Sequence, residues 1–168
     1  MKNRISPHLL LSNAIKFIQA ANCVCRRPVT KRERLTCSAP LPAYYLIGHS
    51  IELSLKAFLM GRGLKIEDLK IKKYGHDLTK LIMASRKRKL GYEIKIKPRQ
   101  INLLKNFGEI YKNKLLEYPE SGLYILPLYT EIFEIGYNLV MVLKEYCYVK
   151  TFNKPLPPKQ RNIDILKT

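Results

Sequence analysis

The chain has 168 residues, of which 46% are hydrophobic, and its 31 Lys and Arg against 13 Asp and Glu give a formal net charge of +18. A domain of this length buries about 70% of the surface of its unfolded chain, and this hydrophobic content excludes an intrinsically disordered protein. The charge predicts a partner of opposite sign. Nucleic acid is the most common one, with a membrane surface or an acidic protein as alternatives.

The sequence predicts neither a membrane span nor a secretion signal. The longest apolar run, residues 139–143, is far shorter than the about 20 residues that cross a bilayer. The apolar run after Lys2 and Arg4 is interrupted early by polar residues, unlike a signal peptide. The four cysteines are Cys23, Cys25, Cys37 and Cys147, and their spacing is not that of a zinc site. We therefore expect reduced thiols and no metal or other cofactor. Together with the missing span and signal, this predicts a cytoplasmic protein.

Apolar residues recur at three- and four-residue steps, which predicts helices over residues 7–25, 43–60, 77–90, 98–118 and 127–148. Ser6 and Pro7 are typical of a helix start. Gly61 and Gly63 can form the left-handed turn that ends the second helix, and Asp77 can cap the third. The fold class is therefore predicted to be all-α.

These helices predict an up-and-down bundle of four to five helices over residues 1–149. A basic, proline-containing tail follows at 150–168, where Pro155, Pro157 and Pro158 argue against a regular helix. Ile163, Ile165 and Leu166 of this tail can dock against the bundle. The segment 26–39, which is rich in arginine, is predicted to be a basic loop.

Charge is unevenly distributed along the chain. Residues 61–99 carry 13 basic and 4 acidic side chains, whereas residues 100–149 carry 4 basic and 6 acidic ones. A general bias toward solubility does not predict this asymmetry, which favours a polyanion-binding face. Tyrosines near these segments can stack on bases or pack at the edge of the core: Tyr44, Tyr45, Tyr74 and Tyr92.

Polar residues on the second helix form the best candidate site. His49, Glu52 and Lys56 stand at i, i+3 and i+7, on one face of the helix. His76 lies between a glycine and Asp77 where the third helix begins, and a hairpin of the two helices brings it toward Glu52 or Lys56 rather than His49. The alternative is structural, with an ordinary i,i+4 ion pair and a histidine that joins two helices.

Two segments together resemble a known family: residues 45–59, with the sequence YLIGHSIELSLKAFL, and residues 74–78, with the sequence YGHDL. They are similar to bacterial members of the HEPN (higher eukaryotes and prokaryotes nucleotide-binding) superfamily. The Tyr118-Pro119 turn is also similar to one in these proteins. The resemblance covers roughly residues 6–148.

The resemblance implies a bundle of four or five helices, frequent homodimerisation and a role in RNA cleavage, nucleotide or nucleic-acid binding, or bacterial defence and toxin–antitoxin systems. The ribonuclease branch carries an arginine and a histidine separated by four to six residues. This chain lacks that spacing, since three residues separate Arg4 from His8 and thirteen separate Arg62 from His76.

Three functions are therefore left open. The first is a non-catalytic module, expected to be a homodimer, that binds RNA, a nucleotide or an acidic protein through Lys56, Arg62, Asp77, Arg86, Lys87 and Arg88. The second is a metal-independent ribonuclease, in which His49 or His76 acts as the general base and Glu52 orients it, while Lys56 or Arg62 stabilises the phosphate. The third is a regulatory partner of a nucleotidyltransferase.

Overall fold

The computed structural model describes residues 5–25, 39–70, 74–118, 125–161 and 165–166. Within these ranges the chain forms helices and no strand, so the all-α prediction is confirmed. The helices are α1 (Pro7–Cys25), α2 (Leu41–Gly61), α3 (Ile66–Lys70), α4 (Leu78–Lys87), α5 (Pro98–Lys112), α6 (Tyr129–Phe152) and α7 (Pro158–Arg161). A 3-10 turn, Leu90–Tyr92, lies between α4 and α5.

The centre of the fold is the packing of α1, α2 and α6 against one another. Each of the three contributes a stripe of aliphatic side chains to the shared core, and burying one such side chain stabilises the fold by about 1.5–3 kcal/mol. Fully buried members of these stripes include Ala14, Ile18, Ile47, Ile51, Leu55, Ile132, Leu139 and Leu143.

Two hydrogen bonds position α1 in this core. His8 N, at the start of α1, donates to Thr151 Oγ1 near the end of α6 (3.1 Å), so α1 runs antiparallel to α6. Ser50 Oγ donates to the Ala14 carbonyl (2.8 Å), which places the middle of α2 on the middle of α1.

Contacts at both ends of α2 show that it runs parallel to α6. The Tyr44 hydroxyl donates to the Pro127 carbonyl just before α6 begins (2.8 Å), and the Phe58 ring lies 5.1 Å from the Tyr146 ring further along. One face of α2 thus packs on α1 and α6, and a different face is available to α4 and α5.

Helices α4 and α5 pack on each other and on α2. Asp77 caps α4 as predicted, since its Oδ1 accepts a hydrogen bond from Lys80 N (3.0 Å). Gly108 lets α5 approach the start of α4, because a Cβ there would lie 3.3 Å from Leu78 and Thr79 side-chain atoms. This close packing holds the start of α4 against the middle of α2.

The predicted glycine turn ends α2. Gly63 has a φ of +92°, its N–H donates to the Met60 carbonyl (2.9 Å), and Leu64 N donates to the Leu59 carbonyl (3.1 Å). This pair of bonds is the left-handed termination that glycine favours. The short helix α3 follows it and was not predicted.

Two helices end earlier than predicted, each where a lysine adopts left-handed backbone. Helix α4 ends at Lys87 rather than residue 90, and Lys89 has a φ of 67°. Helix α5 ends at Lys112 rather than residue 118, and Lys114 has a φ of 59°. Backbone of this kind leaves the helical region, and periodicity of apolar residues does not reveal it.

The C-terminal prediction requires a correction. Helix α6 continues to Phe152, and the tail predicted to lack regular helix forms one turn at Pro158–Arg161, with proline in the first position where it is tolerated. Ile165 docks as expected: it is buried, and its carbonyl accepts a hydrogen bond from Gln19 Nε2 (2.8 Å).

Some predictions fall outside the described residues. They are most of the basic loop 26–39, the docking of Ile163 and the turn that begins at Pro119. Among the helices that are described, none combines the length and the apolar character that crossing a membrane requires.

Candidate functional site

A buried carboxylate, Glu52, lies where α2, α4 and α5 meet. It is 1% exposed. Lys56 Nζ donates to its Oε1 (2.6 Å), whereas His76 Nδ1 (2.9 Å) and the Tyr111 hydroxyl (2.8 Å) both lie within hydrogen-bonding distance of its Oε2. The expected approach of His76 to Glu52 is observed, and Tyr111 is an additional member of the group.

These donors keep Glu52 ionised. Burial raises the pKa of its carboxyl, but the contacts with His49, Lys56 and His76 outweigh burial and lower the pKa to about 2. A carboxylate can only accept hydrogen bonds, so His76 Nδ1 must carry a proton. In the neutral form of His76, Nε2 is then the unprotonated nitrogen.

Tyr111 connects a second histidine to the same carboxylate. Its pKa is raised by burial and by the negative charge of Glu52, so its hydroxyl stays protonated and donates to Glu52. His49 Nδ1 lies 3.1 Å from the Tyr111 oxygen and 3.7 Å from Glu52 Oε2. With the hydroxyl proton directed at Glu52, His49 Nδ1 is the donor to Tyr111.

Aromatic rings enclose His49. The Phe17 ring lies edge-on at 4.4 Å between centroids, and the Tyr45 ring stacks at 6.1 Å with an interplanar angle of 9°. The His49 side chain is 23% exposed. These contacts limit the orientations that the imidazole can adopt.

Exposure separates the members of this group. The His76 side chain is 62% exposed, whereas those of Lys56 and Glu52 are 9% and 2% exposed. His76 is thus the member whose second nitrogen can reach a ligand. Glu52, Lys56 and Tyr111 form a buried polar connection between α2 and α5.

Two other residues predicted to bind have intramolecular partners. Asp77 caps α4, and its Oδ2 lies 3.5 Å from both Lys80 Nζ and Lys112 Nζ. Arg62 donates to Glu93 Oε1 (3.0 Å), and its guanidinium lies over two aromatic rings, those of Phe58 and Tyr146. The structure therefore gives both residues a role in packing.

The predicted basic residues at the end of α4 border a groove, which we call the cationic groove. Its cavity volume is about 510 Å³, within the range of ligand sites. Its rim consists of exposed cations and one exposed ring: Arg86, Lys89, Lys95 and Tyr92. Its floor consists of aliphatic side chains: Leu90, Ile94, Ile96 and Ile101. Lys87 and Arg88 lie between Arg86 and Lys89 in the sequence.

Most of the positive charge of this region has no ion-pair partner among the described residues. Residues 86–99 include seven Lys and Arg and a single acid, Glu93, which pairs with Arg62, and of the seven cations Arg99 pairs with Glu131. Within the described parts of the chain, no carboxylate forms an ion pair with Arg86, Lys89 or Lys95. The cationic groove thus presents positive charge to solvent, with no counter-ion from the part of the chain that the structure describes.

The structure also distinguishes the tyrosines that the sequence singled out. Tyr44 and Tyr74 are buried, and Tyr45 is half-buried against His49. Tyr92 is 80% exposed at the rim of the cationic groove. Only the three-dimensional arrangement identifies Tyr92 as the ring that is open to a ligand.

The described residues contain no group of three or more His, Cys, Asp or Glu side chains arranged to hold a metal ion. Comparison of the chain with protein-family models, curated proteins and solved structures gives no match. The resemblance of residues 45–59 and 74–78 to HEPN proteins therefore stays a prediction.

Proposed function

We propose that this chain is a non-catalytic, HEPN-like helical module that binds RNA through the cationic groove. The observation that carries this proposal is the clustering of Arg86, Lys89 and Lys95 around one concave surface, where none of the described carboxylates pairs with them. Phosphate backbones supply the complementary charge, and neutralising them releases condensed counter-ions. The resemblance of the two HEPN-like segments favours RNA among the polyanions.

The burial of the Glu52 group supports a binding role over a catalytic one. Lys56, named as a phosphate-stabilising cation in the ribonuclease hypothesis, is committed to Glu52 at 2.6 Å and is nearly buried. Arg62, the alternative cation, is committed to Glu93. A ribonuclease would need a different cation to stabilise the transition state.

The test measures RNA binding by fluorescence anisotropy between 50 and 200 mM salt. We expect the affinity for a single-stranded oligonucleotide to fall steeply with salt, with a slope of about −0.7 in log K against log salt for each phosphate contacted. Removing two cations of the groove, in the variant Arg86→Gln/Lys95→Gln, should reduce the magnitude of the slope by about 1.4.

A matched control removes the same charge elsewhere. Lys154 and Lys159 are exposed residues of the C-terminal segment, so Lys154→Gln/Lys159→Gln lowers the net charge equally and leaves the groove intact. Equal loss of affinity in both double variants would show a general charge effect. Absent or salt-independent binding would also contradict the proposal.

One observation favours a ribonuclease as the second candidate. The hydrogen bond to Glu52 holds the Nδ1 proton of His76, and the exposed imidazole can then use Nε2 as a general base. Comparing RNA degradation by the native chain and by His76→Ala decides this: equal rates remove His76 from any mechanism. Two further expectations have their own tests. Measuring the size of the protein in solution tests the expected homodimer, and co-purification from the native host tests the expected nucleotidyltransferase partner.

A further inference from the structure

The Tyr92 side chain stands at the rim of the cationic groove with little protein around it. The residue is 80% exposed and belongs to the 3-10 turn Leu90–Tyr92. Lys89 Nζ lies over one face of the ring, 5.7 Å from its centroid, and most of the side chain is open to solvent. A large aromatic side chain placed in this way is available to stack on a planar ligand.

The backbone of the turn places the cation and the ring together. Lys89 adopts a left-handed conformation, with a φ of 67°, immediately before the turn that carries Tyr92. This conformation is uncommon for residues other than glycine. Its result is a positive charge next to an aromatic face, which matches a nucleotide that presents both a phosphate and a base.

The floor of the groove is apolar. Two of its four side chains, Leu90 and Ile101, are buried, and the other two, Ile94 and Ile96, are half-buried. Phosphate groups gain nothing from such a floor, whereas the faces of a nucleobase are apolar enough to lie against it. The combination of cationic rim, open ring and aliphatic floor therefore fits a nucleotide with an unpaired base.

We propose that the cationic groove takes single-stranded RNA, with one base against Tyr92 and the apolar floor and the flanking phosphates on Arg86, Lys89 and Lys95. The inference rests on the proposed RNA-binding function and specifies its form. In a duplex the bases are paired and stacked inside the helix, so mainly phosphates and riboses reach a protein surface. A duplex can therefore use the cations but not the ring.

The experiment compares Tyr92→Ala with Tyr92→Phe on three probes of equal phosphate number. The probes are a single-stranded oligouridylate, the same chain made of abasic nucleotides, and an RNA duplex. Loss of one stacking contact lowers affinity by about tenfold. We expect this loss for Tyr92→Ala on oligouridylate alone, and near-native affinity on every probe for Tyr92→Phe.

Several outcomes overturn the inference while the proposed function stands. These are native affinity of Tyr92→Ala for oligouridylate, equal loss on all three probes, or binding of the abasic chain as tight as that of oligouridylate by the native protein. An oligoglutamate peptide of equal charge that binds as tightly as oligouridylate would assign the groove to an acidic protein instead. If none of the RNA probes binds the native protein at low salt, the RNA-binding function itself fails.

Discussion

The Tyr111 hydroxyl donates a 2.8 Å hydrogen bond to Glu52 Oε2, which joins α5 to the middle of α2. Gly48, one turn before Glu52, makes room for the same side chain. A Cβ at position 48 would lie 2.6 Å from Tyr111 Cδ2 and 2.8 Å from Cε2. The glycine and the glutamate of the YLIGHSIE segment thus act on one tyrosine, the first by leaving space for its ring and the second by accepting a hydrogen bond from its hydroxyl.

Tyr111→Phe should remove this hydrogen bond while keeping the ring in place. Hydrogen bonds to charged groups stabilise folded proteins by about 1.5–3 kcal/mol, so we expect the free energy of unfolding to fall by about 2 kcal/mol in urea titration. The matched control is Tyr92→Phe, whose hydroxyl belongs to an exposed side chain. That control should change stability by less than about 0.5 kcal/mol, and equal effects of the two variants would argue against the role of Tyr111.

Gly48→Ala should destabilise the fold although alanine is the better helix former. The gain in helix propensity is about 1 kcal/mol. The close contact of the added methyl group with Tyr111 opposes this gain in stability. The Tyr111 side chain is packed between α2 and α5 and cannot move without losing its hydrogen bond. Overpacking a core costs about 1–3 kcal/mol, so we expect a net loss of about 1 kcal/mol in urea titration.

Gly91→Ala is the control for that change, because no atom lies within 4 Å of an added Cβ at Gly91. Its stability should stay within about 0.5 kcal/mol of the native chain. A second check is non-additivity. If Gly48→Ala displaces the Tyr111 hydroxyl from Glu52, adding Tyr111→Phe to it should cost less than Tyr111→Phe does alone.

The helices were predictable from sequence because their apolar periodicity and boundary residues agree. Pro7 and Pro98 begin α1 and α5, Asp77 caps α4, and Gly63 supplies the turn after α2. The C-terminal ends of α4 and α5 were not predictable, because Lys89 and Lys114 adopt left-handed backbone and the spacing of apolar residues does not indicate this. Short helices such as α3 lack the length over which periodicity can be recognised.

The candidate site was predictable where its members share one element. His49, Glu52 and Lys56 follow from helical spacing, and His76 follows from the return of the chain into α4. Tyr111 could not be recognised as a member from the sequence, because a buried tyrosine and a buried phenylalanine give the same periodic signal. A buried carboxylate with several donors depends on how helices distant in sequence pack, and spacing within one helix cannot reveal it.

Cys147 and Cys23 should differ sharply in reactivity. Burial raises the pKa of the Cys147 thiol to about 12, and thiolate is the species that alkylates. Cys23 is exposed on α1. In the folded protein at about pH 8 we expect iodoacetamide to label Cys23 and to label Cys147 at least about 100-fold more slowly. Peptide mass spectrometry measures both rates. Urea should equalise them, and comparable rates without urea would contradict the burial of Cys147.

Glu52→Gln should both destabilise the protein and change its response to acid. The pKa of Glu52 falls from 4.5 to about 2 on folding, which corresponds to about 3 kcal/mol of stability at neutral pH. Since the folded pKa is the lower one, this stability is fully present above pH 4.5 and is lost as the pH falls toward 2. The variant lacks the titrating group, so the stability difference from the native chain should be largest near pH 7 and shrink through this window.

Urea titrations at several pH values between 2 and 7 measure the difference in unfolding free energy between the two proteins. Acid increases the general charge repulsion in both, so this contribution cancels in the difference. Glu109→Gln is the control, because Glu109 lies on α5 with its side chain 60% exposed. This control should follow the native pH profile within about 0.5 kcal/mol. A constant gap between Glu52→Gln and the native chain from pH 7 to pH 2 would mean that Glu52 is not held ionised by Lys56 and its other donors.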